Sequence, residues 1–432
     1  MNGVVLAGTA SGVGKTVTTL AVSRALRAEG YDVQPAKAGP DFIDPTHHQQ
    51  VADKPARTLD VWLEGVDGTR RNYHRGIGDI CVVEGVMGLY DGEKSSTAMV
   101  AEALELPVVL VVDAAAGMES VGATALGFRE YADSIGVDVD VAGVIANRAH
   151  GGRHERGIRD ALPDGLTYYG RIPPDDDLEI PERHLGLEMG DEVTYDGQAL
   201  DAAAEHVRTA ALIETAREPP EPATGKEPNP TGKRVAVATD AAFAFRYPAT
   251  EERLRRRAEV VSFAPTAGDA LPDADGVYLP GGYPELHAEV LSESPAIRGL
   301  REAAAAGTAI LGECGGFMVL AEALTTADGE THEMAGVLPA TVRMHDRYQA
   351  LDHVELAART DSPIAETGRR LRGHEFHYSS ADLGRDARFA FDMERGEGMN
   401  GQRDGLQEYR TLGTYCHFHA ESGAFDTFID AL

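Results

Sequence analysis

Basic residues are scarce in this chain. Its 40 Lys and Arg stand against 70 Asp and Glu over 432 residues, a formal net charge of -30. Such a surface repels nucleic acid and anionic membranes, whose binding needs clustered Lys and Arg. The acidic residues are spread along the chain, the pattern of a solubility adaptation to high salt rather than of an acidic tail. Cysteine is scarcer still. Cys81, Cys314 and Cys416 are an odd number at irregular spacing, which excludes a disulfide framework and points to a reducing cytoplasm. No apolar run approaches the roughly 18 residues of a transmembrane helix. Met1 runs into a strand-like segment with no basic leader, so no secretory signal is expected.

What is present is an alternation of strand and helix patterns. The length exceeds one ordinary domain. Runs such as GVVLA (3–7), DICVVEG (79–85), LPVVLVVDA (106–114) and DVAGVIANR (140–148) are apolar and end in polar residues, as strands buried in a parallel sheet do. Helical spacing separates them over 17–30, 96–106 and 120–136. Residues 217–233, rich in Pro, Gly, Lys and Glu, read as a linker. The alternation then resumes at RVAVATD (234–240). The expected organisation is an N-terminal α/β domain over 1–216, the linker, and a second α/β domain over 234–432.

GTASGVGKT (8–16) follows the first strand and opens a helix. Gly8 lies one residue further back than the strict phosphate-binding loop requires, but the physics is unchanged. Small residues let backbone N–H groups converge on phosphate, and the helix N-terminus adds positive potential. The nucleotide would be held by Thr9, Gly12, Val13, Gly14, Lys15 and Thr16, with Lys15 reaching the β/γ-phosphates and the Thr16 hydroxyl on Mg²⁺. KAGPDFIDP (37–45) and EGVMGLYDG (84–92) place charged groups after two further strands, where ligands of open α/β sheets collect. Asp41 and Glu84 are candidate Mg²⁺ ligands with Thr16. Lys37 is suited to neutralising a transferred phosphoryl group, and Asp44 and Asp91 to positioning substrate. Asn147, closing VAGVIANR, is a candidate for bidentate contact with adenine.

In the second half, GECGGFMVL (312–320) sets Cys314 between an apolar strand and a helix-like stretch, the arrangement of an exposed nucleophile elbow with a lowered thiol pKa. GTYCHFH (413–419) offers His417 and His419 as bases. Gly281 and Gly282 in LPGGYPE, with Gly315, could supply an oxyanion hole. Cys81, inside a buried strand pattern, and Cys416 are given no role.

The opening loop resembles the dethiobiotin-synthetase-like branch of P-loop proteins. Ala10 stands where the partitioning ATPases of a related branch carry an extra lysine, which argues against a nucleotide switch. The series of motifs, including GRIPPDDDLEIPERHLGL (170–187), ATDAAFAFRYP (238–248) and GHEFHYS (373–379), resembles the class I glutamine amidotransferases of the cobalamin pathway over nearly the whole chain. The resemblance implies a P-loop-type parallel sheet followed by a flavodoxin-like amidotransferase domain. It implies that Cys314 hydrolyses glutamine through a thioester with His417 assisting. MgATP would phosphorylate the a- and c-acetate carboxylates of a corrinoid tetrapyrrole, and ammonia would displace phosphate. The expected partners are L-glutamine and that macrocycle, with no nucleic acid and no membrane; a homodimer is left open. Two relatives share this architecture, one acting on a nickel sirohydrochlorin and one amidating four other carboxylates. The usual triad ends His-Pro-Glu, whereas this chain reads HFHAES, so a Cys–His dyad is expected. Arg57, Arg183 and His184 lie in motif-like stretches that face the question of how the macrocycle is gripped.

Overall fold

The computed structural model describes residues 1–180, 182–183, 186–187, 189–190, 192–193, 195–223 and 228–432. The chain divides into two compact units, Met1–Thr224 and Gly225–Leu432. His184 lies outside the described residues, and of Arg183 only the backbone is described.

The first unit is a seven-stranded sheet of β1 (Asn2–Gly8), β2 (Val33–Ala38), β3 (Arg57–Leu59), β4 (Ile80–Gly88), β5 (Val108–Asp113), β6 (Val141–Asn147) and β7 (Thr167–Arg171), ordered β3-β2-β4-β1-β5-β6-β7. Each pairing is parallel. Helices cover both faces, as the near-continuous Val, Ile, Leu and Ala of the strands demand. Helix α1 (Lys15–Ala28) leaves β1 through the glycine loop, and α2 (Asp44–Ala52) leaves β2. Gly14 adopts φ 82°, and a Cβ there would fall 2.1 Å from Asn147 Nδ2, so only glycine fits both the turn and the approach.

The second unit centres on a ten-stranded sheet. Strands Glu259–Phe263, Arg234–Ala238, Gly276–Leu279, Ala309–Glu313 and Thr411–Thr414 run parallel. The sheet continues antiparallel through Arg403–Glu408, Phe389–Arg395, Ala350–Ala358 and Arg370–His377 to the short edge strand His417–Phe418. The sequence patterns anticipated the parallel half but not this antiparallel extension. Among the described residues no helix is long and apolar enough to cross a membrane.

Candidate functional site

The carboxyl ends of β1, β2 and β4 open onto a cleft of about 960 Å³ lined by Gly12, Gly14, Lys15, Thr16, Lys37, Asp41, Asp44, Glu84 and Asn147. Lys37 and Glu84 are directly paired in the β2–β4 register, so their side chains share one face. Lys37 Nζ donates to Glu84 Oε1 at 2.9 Å and to Asp44, and stands 3.8 Å from Asp41 Oδ2. Burial alone would lower the Lys37 pKa, but Asp44, Glu84 and Asp41 reverse this and hold the ammonium charged. Burial likewise disfavours the Glu84 carboxylate, yet Lys37 and His48 hold it below the ordinary range. Lys15 is pushed down by burial and then by Lys37, and its Nζ donates to Ala10 O at 3.3 Å.

Met87 (φ 49°) and Arg148 (φ 54°) also line this cleft in left-handed backbone. Such strain in non-glycine residues gathers at functional sites. Asn147 Nδ2 donates to Val13 O at 2.8 Å, so one of its amide hydrogens braces the loop. Thr9 and Asp91 do not join the cleft. They line a separate hollow of about 500 Å³ with Tyr90, Phe128 and Tyr131, and Asp91 Oδ2 accepts the Gly88 N–H at 3.0 Å. Val13 is buried beneath the loop. Arg57 is also buried, and its Nε donates to Asn72 O at 3.1 Å.

The second unit holds the other candidate site. Cys314 turns the chain from the strand Ala309–Glu313 into the helix Gly315–Leu320 with φ 47° and ψ -101°, a strained elbow. It is buried rather than exposed, at 3 % relative accessibility, which corrects the sequence expectation. Burial, with Glu285 next, raises the thiol pKa; the Gly315 N–H opposes this without prevailing. A short helix start does not outweigh desolvation here.

His417 packs on Gly281: a Cβ at Gly281 would lie 2.3 Å from its Cε1. A Cβ at Gly315 would lie 3.0 Å from Gly282 N, so the two glycine turns meet. His417 stacks on His374 at 5.0 Å, its directly paired neighbour across the edge strand. Burial, then His377, lowers the His417 pKa to about 3. His419 Nδ1 accepts the Glu421 N–H at 3.3 Å, and its ring meets Tyr247 edge-on at 5.2 Å. It caps the turn that follows the strand. Cys416 is buried with a raised pKa, and Cys81 is pushed up to about 12 by burial.

Residues 4–187 match the CobQ/CobB/MinD/ParA nucleotide binding domain, and residues 234–425 the CobB/CobQ-like glutamine amidotransferase domain. The chain is 66% identical over 432 residues to the cobyrinate a,c-diamide synthase of Halobacterium salinarum, covering 100% of this chain and 98% of the relative. It is 65% identical to that of Haloarcula marismortui, with 99% and 98% covered. The chain belongs to the cobyrinate a,c-diamide synthase family. It is 39% identical to the hydrogenobyrinate a,c-diamide synthase of Rhizobium meliloti, with 96% and 99% covered. As a member of this family it is a glutamine-hydrolysing ligase with a nucleotide-binding domain ahead of its amidotransferase domain.

Sequence reasoning missed four residues around these sites. His48 Nε2 lies 2.5 Å from Glu84 Oε2, both side chains buried. His48 sits on a helix, and its spacing gave no sign that α2 turns it inward. His374 and His377 lie in GHEFHYS, which carried the family resemblance but no role. Glu313 was assigned no role.

The cleft also suits Mg²⁺. Thr16 Oγ1 lies 3.0 Å from Glu84 Oε1. Adjacent corners of an octahedron with Mg–O bonds of about 2.05 Å are about 2.9 Å apart. Asp41 Oδ1 accepts the Ile43 and Asp44 N–H groups at 2.8 and 3.1 Å, which fixes the carboxylate at the cleft wall. Thr16, Glu84 and Asp41 all line this cleft and carry hard oxygen donors, the kind suited to an ion that keeps several waters.

Proposed function

We propose that this chain amidates the a- and c-acetate carboxylates of cobyrinate, with glutamine as nitrogen donor and ATP as activator. The 66% identity over the whole chain to a protein of that name carries the reading. The two sites supply its chemistry. In the second unit, Cys314 Sγ attacks the glutamine carboxamide carbon while its proton passes to His417. The proton then goes to the departing nitrogen, and ammonia leaves behind a thioester that water hydrolyses to glutamate. Burial raises the Cys314 pKa and lowers that of His417 to about 3, so both are neutral at rest. Proton transfer would then accompany attack on bound glutamine.

In the first unit, a substrate carboxylate oxygen attacks the γ-phosphorus of ATP and ADP leaves. Ammonia then attacks the acyl carbon, phosphate departs and the nitrogen loses a proton. Lys37 faces the transferred group, Lys15 the β/γ-phosphates, and Asp44 and Asp91 are proposed to position the acceptor. The adenine is proposed to lie on Asn147, and Gly281, Gly282 and Gly315 to provide the oxyanion hole. Mg²⁺ on Thr16, Asp41 and Glu84 would neutralise charge on the phosphates. Three free thiols suit a cytoplasmic setting.

A metal-free acceptor is the second reading, favoured by the 39% identity to a hydrogenobyrinate enzyme. The test incubates the protein at high salt with MgATP, glutamine and either macrocycle, and follows mass. Two successive replacements of OH by NH₂ on cobyrinate are expected. Cys314→Ala should retain them only with ammonium. Turnover confined to hydrogenobyrinate would move the assignment; no turnover with either would defeat it.

A further inference from the structure

Glu313 ends the strand that delivers Cys314, and its side chain is buried. A carboxylate without compensation is costly there. Its Oε1 accepts the backbone N–H of Phe418 at 3.1 Å, and its Oε2 accepts the Tyr278 hydroxyl at 2.7 Å. Phe418 is the neighbour of His417 on the edge strand. In sheet order that edge strand is separated from the nucleophile strand by Thr411–Thr414, Arg403–Glu408, Phe389–Arg395, Ala350–Ala358 and Arg370–His377. Among the described residues no backbone ladder joins the two, and the edge strand pairs only with Arg370–His377. The Glu313 side chain bridges them directly, one residue from the nucleophile and one from the base. The chain lacks an acidic residue two places after His417, since Phe418 and His419 follow it.

We propose that Glu313 is the positioning residue of the glutaminase. Its carboxyl group ties the His417–Phe418 backbone to the nucleophile strand and so sets the approach of the imidazole to the Cys314 sulfur. The proposal rests on the reading of Cys314 and His417 as the glutaminase pair. Burial pushes the Glu313 carboxyl up to about 8.

The experiment compares wild type, Glu313→Ala, Glu313→Gln and Tyr278→Phe in the full chain, with glutamine or ammonium as nitrogen source. Glu313→Ala should lower glutamine-dependent kcat roughly 10- to 100-fold, the scale of a misplacement of about 1 Å. The KM for glutamine and the ammonium-driven rate should stay near wild type. Glu313→Gln should restore most of kcat, because its carboxamide oxygen accepts the Phe418 N–H and its NH₂ can face the Tyr278 oxygen. It should also remove the change in glutamine-dependent kcat near pH 8. Tyr278→Phe, which spares the Phe418 bond, should retain most of kcat. Full glutamine-dependent activity in Glu313→Ala would overturn the proposal, as would an equal loss with ammonium. If Glu313→Ala does not fold, an unaltered pH profile in Glu313→Gln overturns it. Should Cys314→Ala still use glutamine, the glutaminase reading itself fails, which is a separate result.

Discussion

His48 Nε2 meets Glu84 Oε2 at 2.5 Å, while the other oxygen of Glu84 receives Thr16 and Lys37. One buried carboxylate is thus held by a hydroxyl, an ammonium and an imidazole. The imidazole fixes which way the carboxylate plane faces the cleft. Glu84 is a proposed Mg²⁺ ligand, and partners of this kind behind a ligand change affinity about 10- to 100-fold when removed. His48→Ala should raise the Mg²⁺ concentration for half-maximal ATP turnover by about that order. His48→Gln, which keeps a donor, should raise it less. A magnesium titration of both variants checks this, and an unchanged requirement in His48→Ala would show that Lys37 and Thr16 hold Glu84 without the imidazole.

Lys37 is the only lysine or arginine bonded to Glu84 among the described residues, and it also serves Asp44 and Asp41. Lys37→Met would leave neighbouring carboxylates buried without their cation. Breaking a buried pair from one side costs about 3–5 kcal/mol. The variant should lose ATP-dependent amidation and melt earlier. Adding Glu84→Gln should recover part of the lost Tm without recovering activity. Additive losses in the double variant would mean that the pair is not energetically coupled.

That Lys37 and Glu84 gather in one cleft was legible in the sequence because polar residues closing apolar strands in a parallel sheet must gather at one edge; their direct pairing was not. The loop from Gly8 to Thr16 was legible for the same reason, with the helix that follows it. His48 was hidden because helical spacing says which residues share a face but not which neighbour that face meets. Glu313 was hidden because a strand's end residue has no pattern of its own; its role depends on where Phe418 returns, over a hundred positions later. The antiparallel strands from Ala350 onward carry mixed exposure, and their pairing depends on long-range register that local alternation does not encode. The contact of Asp91 with the Gly88 N–H was hidden too, because the place of a carboxylate after β4 does not say which neighbour it meets.

A net charge of -30 on 432 residues makes the folded chain repel itself at low ionic strength. Screening reaches about 8 Å at physiological salt and about 3 Å at 1 M. Tm should therefore rise as KCl is added from low concentration toward molar values. Differential scanning calorimetry across that range checks the claim. A Tm independent of salt would mean that the acidic residues are balanced locally, as Arg257 is by Asp426 and Asp430.

The second unit should be most stable in mildly acidic solution, because its buried groups oppose one another. Burial lowers His377 to about 4 and His417 to about 3. Unfolded histidine titrates near 6.5. Below that pH the unfolded chain binds protons that the folded chain refuses, so stability falls as pH drops from about 6.5 toward the folded values. Glu313 and Glu375 act in the other sense, since burial raises them to about 8 and about 7. An unfolded Glu ionises near 4.3, so the folded state keeps protons that the unfolded state has released. Their contribution is lost as pH rises from about 4.3 through the folded values. His374, lowered well below its ordinary value by burial and then His417, adds to the acid side. Tm measured from pH 4 to pH 9 should therefore pass through a maximum contributed by these groups between about 4.3 and 6.5. Glu313→Gln should flatten the alkaline side and His377→Gln the acid side. An unchanged acid slope in His377→Gln would show that His377 is neutral in neither state, or that it titrates alike in both.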